Sequence, residues 1–148
     1  FAPNANSYRR LIAGNFVPLT PSWGYNHRDV ALRIPVSGDK DRRVEHRLAG
    51  ADANPYLVMA ALVAGVHHGI SQGCDPGEMV AEGVEIEEEI NLPTIWSLAL
   101  DEFDSSAVLP QYLGEDCCRL FGTIRRGECE QFAEQVSNID YDWYLRSM

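Results

Sequence analysis

The sequence predicts an α+β fold, with short antiparallel strands in the first third and a mainly helical remainder. Three observations carry this expectation. Residues 29–35 and 42–48 alternate in character with period two on either side of a turn-rich connection. The run from Tyr56 to Val66 is apolar almost all round, the pattern of a helix enclosed in a core. Residues 110–136 carry an apolar stripe at helical spacing.

In the first strand, Val30, Leu32 and Ile34 alternate with Ala31 and Arg33. In the second, Arg43, Glu45 and Arg47 share one face, and Val44, His46 and Leu48 the other, because strand side chains repeat every two residues. The connection Val36-Ser-Gly-Asp-Lys-Asp41 has hairpin composition, so the strands are expected to be antiparallel neighbours. The first helix is expected to start with Asn54 as N-cap and Pro55 in the first helical position, and to stop near Gly69. A second helix fits 94–103, with Ile95, Trp96, Ala99, Leu100 and Phe103 on one face. A third fits 110–136, opening at Pro110, with Gly122 and Gly127 weakening its middle. The aromatic tail Tyr141–Leu145 is expected to dock rather than dangle.

Composition excludes several function classes. The 148 residues suffice for one domain. The net charge is −10 with Lys40 as the only lysine, which argues against binding a nucleic-acid backbone. No apolar run is long enough to span a membrane, and no signal peptide opens the chain. Starting on Phe1 rather than Met suggests a chain that begins inside a longer one. Cys74, Cys117, Cys118 and Cys129 form no C-x2-C pair, so reduced thiols in a cytoplasmic protein are expected rather than zinc. The acidic stretch from Asp75 to Glu102, including Glu87, Glu88 and Glu89, reads as a solvated face. The arginines instead gather in residues 1–50, where anionic ligands are expected.

Within that region, Arg43-Val-Glu-His-Arg47 puts a carboxylate between two guanidiniums on one strand face. It reads either as an ion-pair ladder or as a metal ligand beside anion-binding arginines. In Asn6-Ser-Tyr-Arg-Arg10 the adjacent arginines must diverge, leaving one for a ligand and one for solvent. Trp23-Gly-Tyr-Asn-His-Arg28 reads as a nucleotide platform or an ordinary turn. Neither a Walker loop nor G-x-G-x-x-G is present. His67 and His68 are consecutive in a helix, so they are expected to diverge and not to share a metal. His27 and His46 carry no assigned role.

Taken in order, Asn6–Leu11, Trp23–Arg28, Leu32–Pro35, Arg43–Arg47 and Ala51-Asp-Ala-Asn-Pro-Tyr-Leu57 resemble the C-terminal part of the glutamine synthetase catalytic domain. Residues from Leu92-Pro93 to Asp142–Leu145 look like the subgroup that makes γ-glutamylamides such as γ-glutamylputrescine. The resemblance implies that residues 1–50 are active-site loops and strands, and 51–148 the helical part, of one catalytic-domain segment. It implies an ATP-dependent ligase that joins the γ-carboxylate of glutamate to an amine through γ-glutamyl phosphate. It assigns Arg10 and Arg47 to glutamate and its acyl phosphate, Arg28 and Arg33 to ATP phosphates, and Glu45 to a divalent metal, Mg2+ or Mn2+. Arg10, Arg28 and Arg47 are the catalytic candidates. A homo-oligomeric ring is implied for the full-length protein, and no ligase activity for these residues alone.

One departure bears on the substrate. Glutamine-forming members carry a glutamate in the loop after the first arginine motif, where it binds ammonium and accepts its proton. Here the loop is Ala13-Gly-Asn-Phe-Val-Pro18, with Phe16 at that place. Phenylalanine does neither task, and is expected to wall a pocket for a primary amine such as putrescine. An ammonia-using glutamine synthetase and a non-catalytic paralogue are the alternatives.

Overall fold

The computed structural model describes residues 1–14, 16–86 and 91–145, so Asn15, Ile90 and the acidic Glu87, Glu88 and Glu89 lie outside the described residues. The chain opens with a single helical turn, α1 (Ala5–Tyr8). Asn4 caps it by accepting from the Asn6 and Ser7 amides, and the Ser7 hydroxyl accepts from the Asn4 amide in return.

Three short strands follow: β1 (Trp23–Tyr25), β2 (Leu32–Ile34) and β3 (Glu45–His46). The β2–β3 pair is antiparallel, with Leu32 opposite His46 and Arg33 opposite Glu45. Both strands are shorter than their alternating stretches. The β1–β2 pair departs from the all-antiparallel expectation: it is parallel, with Gly24 opposite Arg33, so the sheet is mixed in the order β1-β2-β3. Parallel neighbours ordinarily need a crossover of a dozen or more residues. Here residues 26–31 suffice, because each strand is three residues long and the connection folds inward on a fully buried Val30 and on His27. Segment 77–84 then runs along the outside of β1. The Val80 amide donates to Trp23 O at 2.9 Å, and the Trp23 indole donates to Gly77 O at 3.0 Å. Gly24 permits this approach, since a Cβ there would sit 2.3 Å from Val80 O.

The helical part contains α2 (Pro55–Gln72), α3 (Trp96–Ser105), α4 (Leu109–Leu113) and α5 (Glu115–Ala133). Asn54 caps α2 as expected, accepting from the Tyr56 and Leu57 amides at 3.0 and 3.3 Å. The helix passes through Gly69 and ends at Gly73, whose φ of 62° supplies the left-handed cap. The expected burial of α2 is not found. Ala64 is its one buried residue, while Tyr56 is 84% and Ile70 78% exposed. Apolarity all round states what a helix requires, and among the described residues no segment encloses this one.

The expected long helix over 110–136 is two helices, broken at Gly114 with φ 86° and ψ 142°. Helix α5 packs on α3 around Trp96, Leu100 and Cys118, which are buried. Gly122 does more than weaken α5: a Cβ there would meet Asp104 Oδ1 at 2.6 Å and the Phe103 ring at 3.6 Å. The Phe103 and Phe121 rings meet in a tilted contact with centroids 5.3 Å apart. Arg126 clasps both Asp101 and Asp104 across the two helices. The tail forms α6 (Asn138–Asp140) and a π-helical turn over Tyr141–Leu145. Contrary to the docking expectation, Trp143 and Tyr144 stay 67% and 62% exposed. Among the described residues no helix is long and apolar enough to cross a membrane, and all four cysteines are free.

Candidate active site

Strand register builds the centre of the site. Because Arg33 faces Glu45 across β2 and β3, Arg33 Nη1 donates to Glu45 Oε2 at 3.2 Å. Arg43, two residues before Glu45 on the same face, donates from Nε and Nη2 to Oε1 at 3.2 and 3.0 Å. The expected same-face arrangement is therefore present, and Glu45 is clasped by guanidiniums on both oxygens.

Arg47 continues that face. Its amide donates to Ala31 O at 3.0 Å, extending the ladder past β3, and its Nη2 donates to Phe16 O at 3.3 Å. Burial is the main cause that pushes the Arg47 guanidinium below its ordinary value, with Arg33 and Arg28 acting in the same direction and Glu45 and Asp29 opposing. Arg28, Arg33 and Arg47 therefore share one electrostatic field with two carboxylates. Arg33 Nε and Arg47 Nη1 are buried and have no hydrogen-bond partner among the described residues. Buried donors are seldom left unfilled, and a guanidinium fork matches carboxylate and phosphate oxygens.

Arg28 arrives from the β1–β2 connection. Asn26 turns the chain with φ 54°, accepting on Oδ1 from the Val36 amide and donating from its own amide to Ile34 O. His27, 5% exposed, accepts the Asp29 amide on Nδ1 at 3.1 Å. Its Nε2 therefore carries the proton and donates to Val84 O at 2.8 Å. With His27 locked on both ring nitrogens, Arg28 points out of the loop and sets its guanidinium 5.8 Å from the centre of the Phe16 ring. Phe16 has φ 52°, in the left-handed region that a bulky residue seldom adopts. The residue is 58% exposed.

Arg10 approaches from α1. The adjacent arginines diverge as expected: Arg9 is exposed with Nη1 on Asn6 Oδ1 at 3.2 Å, while Arg10 is half-buried. Arg10 Nη2 donates to the carbonyl of Leu48, the residue after Arg47. The structure thus brings Arg28, Arg33, Glu45, Arg47 and Phe16 together and joins Arg10 to the end of the same strand.

Sequence reading missed His27 and Asp29 as supports of the Arg28 loop, and Asp52 beside Arg10. Asp52 accepts the Ser7 hydroxyl at 2.7 Å and the Asn4 side-chain amide at 3.1 Å. The one available signal for His27 was its place two residues before Asp29, within reach of that amide. Arg43 was visible in the same-face triplet. The histidine pair has a structural place: Tyr112 on α4 sits so that its hydroxyl lies 3.1 Å from His67 Nδ1 and 3.5 Å from His68 Nδ1. The two rings tie α2 to α4, and they do so through one hydroxyl.

Among the described residues no group of three or more His, Cys, Asp or Glu side chains is placed to hold a metal. Glu45 nevertheless fits as a single oxygen ligand, since Mg2+ is commonly held by one or two carboxylates together with substrate phosphates and water.

The family model for the glutamine synthetase catalytic domain matches residues 1–144. The gamma-glutamylputrescine synthetase of Escherichia coli strain K12 is 45% identical over 147 residues, covering 99% of this chain and 31% of its own length. The gamma-glutamylethanolamide synthetase of Streptomyces coelicolor is 33% identical, covering 99% and 30%. The ligand-free structure of a protein named GmaS superposes with a TM-score of 0.81 at 32% identity, covering 97% of this chain and 33% of that one. The chain thus spans about a third of the length of the curated relatives it matches.

Proposed function

Because this chain belongs to the glutamine synthetase catalytic-domain family, we propose that it is the C-terminal segment of such a domain and supplies one side of a ligase active site. The reaction joins the γ-carboxylate of glutamate to an amine at the expense of ATP. The observation that carries this reading is the pair of buried, unpartnered guanidinium donors on Arg33 and Arg47 beside Glu45.

In the first step a γ-carboxylate oxygen attacks the terminal phosphorus of ATP and ADP leaves. In the second, the amine nitrogen attacks the acyl carbon, phosphate leaves with the former carboxylate oxygen, and the nitrogen loses a proton. Both steps rely on positioning and on neutralising phosphate charge. Arg28 and Arg33 orient the ATP phosphates, and Arg10 and Arg47 hold glutamate and then its acyl phosphate. Glu45 is the residue of this chain that would hold Mg2+ or Mn2+, an ion that neutralises charge on the phosphates when bound. Freeing an oxygen for that role requires either Arg33 to leave Oε2 or Arg43 to leave Oε1. Remaining ligands come from outside the chain described here, and the whole enzyme is read as a cytoplasmic homo-oligomeric ring.

Phe16 supports a primary amine, such as putrescine, as acceptor. Its exposed ring can pack on alkyl carbon, and its side chain has no oxygen to accept hydrogen bonds or a proton from ammonium. Relatives named for putrescine and ethanolamide products point the same way. The test is ATP hydrolysis by the full-length enzyme with glutamate and either ammonia, putrescine or ethanolamine. Preference for an amine supports the reading, and preference for ammonia overturns the acceptor. Absence of turnover together with absence of Mg2+-ATP binding identifies a non-catalytic paralogue. The isolated 148 residues are expected to be inactive.

A further inference from the structure

We propose that Asp52 is the positioning residue for Arg10, holding that guanidinium at the end of the Arg47 strand so that it meets glutamate. The inference rests on the reading of Arg10 as a glutamate-binding residue.

Asp52 reaches Arg10 by two routes. The first runs through α1. Asp52 Oδ2 accepts both from Ser7 Oγ at 2.7 Å and from Asn4 Nδ2 at 3.1 Å. These are the two members of the box that starts α1: Asn4 Oδ1 takes the Asn6 and Ser7 amides at 3.0 and 3.3 Å, and Ser7 Oγ takes the Asn4 amide at 3.3 Å. Ser7 is 5% exposed, and its carbonyl receives the Arg10 amide at 3.3 Å. One carboxylate oxygen, 45 residues away in sequence from Ser7, therefore sets the orientation of the turn from which Arg10 leaves. The second route is electrostatic and runs past Gly50, with no hydrogen bond or ion pair between Asp52 and Arg10 among the described residues. A Cβ on Gly50 would stand 2.4 Å from Asp52 Oδ1 and 3.9 Å from Arg10 Nη2, so the other carboxylate oxygen and the guanidinium both crowd the bare Cα of Gly50. The Ser7 hydroxyl is the main cause that holds the Asp52 carboxyl below its ordinary range, followed by its own backbone amide and the Asn4 side chain, with Arg10 the smallest contributor. Arg10 Nη2 meanwhile donates to Leu48 O, which places the guanidinium between the Arg47 strand end and the loop that carries Asp52. A merely structural cap would stabilise α1 and leave substrate affinities alone.

The experiment measures steady-state kinetics and thermal unfolding of full-length Asp52→Asn, Ser7→Ala and the double variant. Removing a charge-assisted hydrogen bond that orients a ligand-binding group is expected to raise the KM for glutamate about tenfold. The KM for ATP should stay within about twofold, and kcat should change less than the glutamate KM. Since Asp52 acts largely through Ser7, the double variant should resemble the more impaired single variant, not the product of both. A glutamate KM unchanged in both single variants overturns the proposal, as does an equal rise in all KM values that follows a fall in Tm. Should Asp52→Asn fail to fold, Ser7→Ala alone decides by the same split. Wild-type turnover with an unchanged glutamate KM in the variants removes the role of Asp52 alone. Absence of wild-type turnover removes the ligase reading, and the role of Asp52 with it.

Discussion

Substituting alanine for Phe16 removes the ring of a residue that is 58% exposed and leaves the backbone carbonyl that receives Arg47 in place. Two losses of different size follow. An alkyl diamine lying across one face of the ring buries roughly half of each of about four methylenes, and at about 0.8 kcal/mol per methylene this amounts to about 1.5 kcal/mol. That is about tenfold in the KM for the amine. The second loss is the contact of Arg28 with the ring at 5.8 Å, worth about 0.5–1 kcal/mol at an exposed site. It predicts a rise of about two- to fivefold in the KM for ATP. The KM for glutamate should hold, because neither contact touches it. The assay varies putrescine at saturating ATP and glutamate, then repeats the series with ethylamine to shorten the apolar stem. The variant should narrow the gap between the two amines. An unchanged amine KM, with the entire effect in ATP, would show that Phe16 serves Arg28 and not the acceptor.

Two further predictions concern the supports of the site. Gly24→Ala should drive segment 77–84 off β1, because the new Cβ would lie 2.3 Å from the Val80 carbonyl oxygen and backbone cannot yield as a flexible side chain does. A cost of about 1–3 kcal/mol is expected, with faster amide exchange at Val80, and urea midpoints and exchange rates equal to wild type would refute it. Tyr8 has its phenol pushed up to about 12 from 10.0, first by burial and then by the charge of Cys129. The folded state therefore holds this proton more tightly than the unfolded one, and the associated stability, full below pH 10, is lost as pH rises toward 12. Tyr8→Phe should flatten the fall of unfolding free energy across that window by at most about 3 kcal/mol, reduced by partial solvent exposure, which is read as a flatter Tm against pH. Parallel Tm curves for the two proteins would contradict this.

The β2–β3 pair and the shared face of Arg43 and Glu45 were legible because period-two alternation and a turn-rich connection are local properties. β1 was not legible. Its three residues, Trp23–Tyr25, carry no alternation, and its parallel pairing depends on Val30 and His27 being buried inside the connection. The type and N-cap of α2 followed from Asn54-Pro55, but its exposure did not, since burial depends on what packs against a helix. The break at Gly114 was hidden by an apolar stripe that runs through both α4 and α5. The site divides in the same way. Register joined Glu45 to Arg33, whereas Phe16 and Arg28 reach Arg47 from two separate loops whose geometry no spacing encodes. Asp52 and His27 act through hydrogen bonds across 45 and 57 positions of sequence, and a single sequence offers no periodic signal for such pairs.

The central claim is that these arginines and Glu45 serve an acyl-phosphate ligation, and oxygen labelling tests it most directly. Full-length enzyme would be supplied with glutamate carrying 18O in its γ-carboxylate, together with ATP, Mg2+ and putrescine. The account predicts inorganic phosphate that bears one labelled oxygen for each γ-glutamylamide formed, since the carboxylate oxygen leaves with the phosphoryl group. Amide formation with unlabelled phosphate would contradict it.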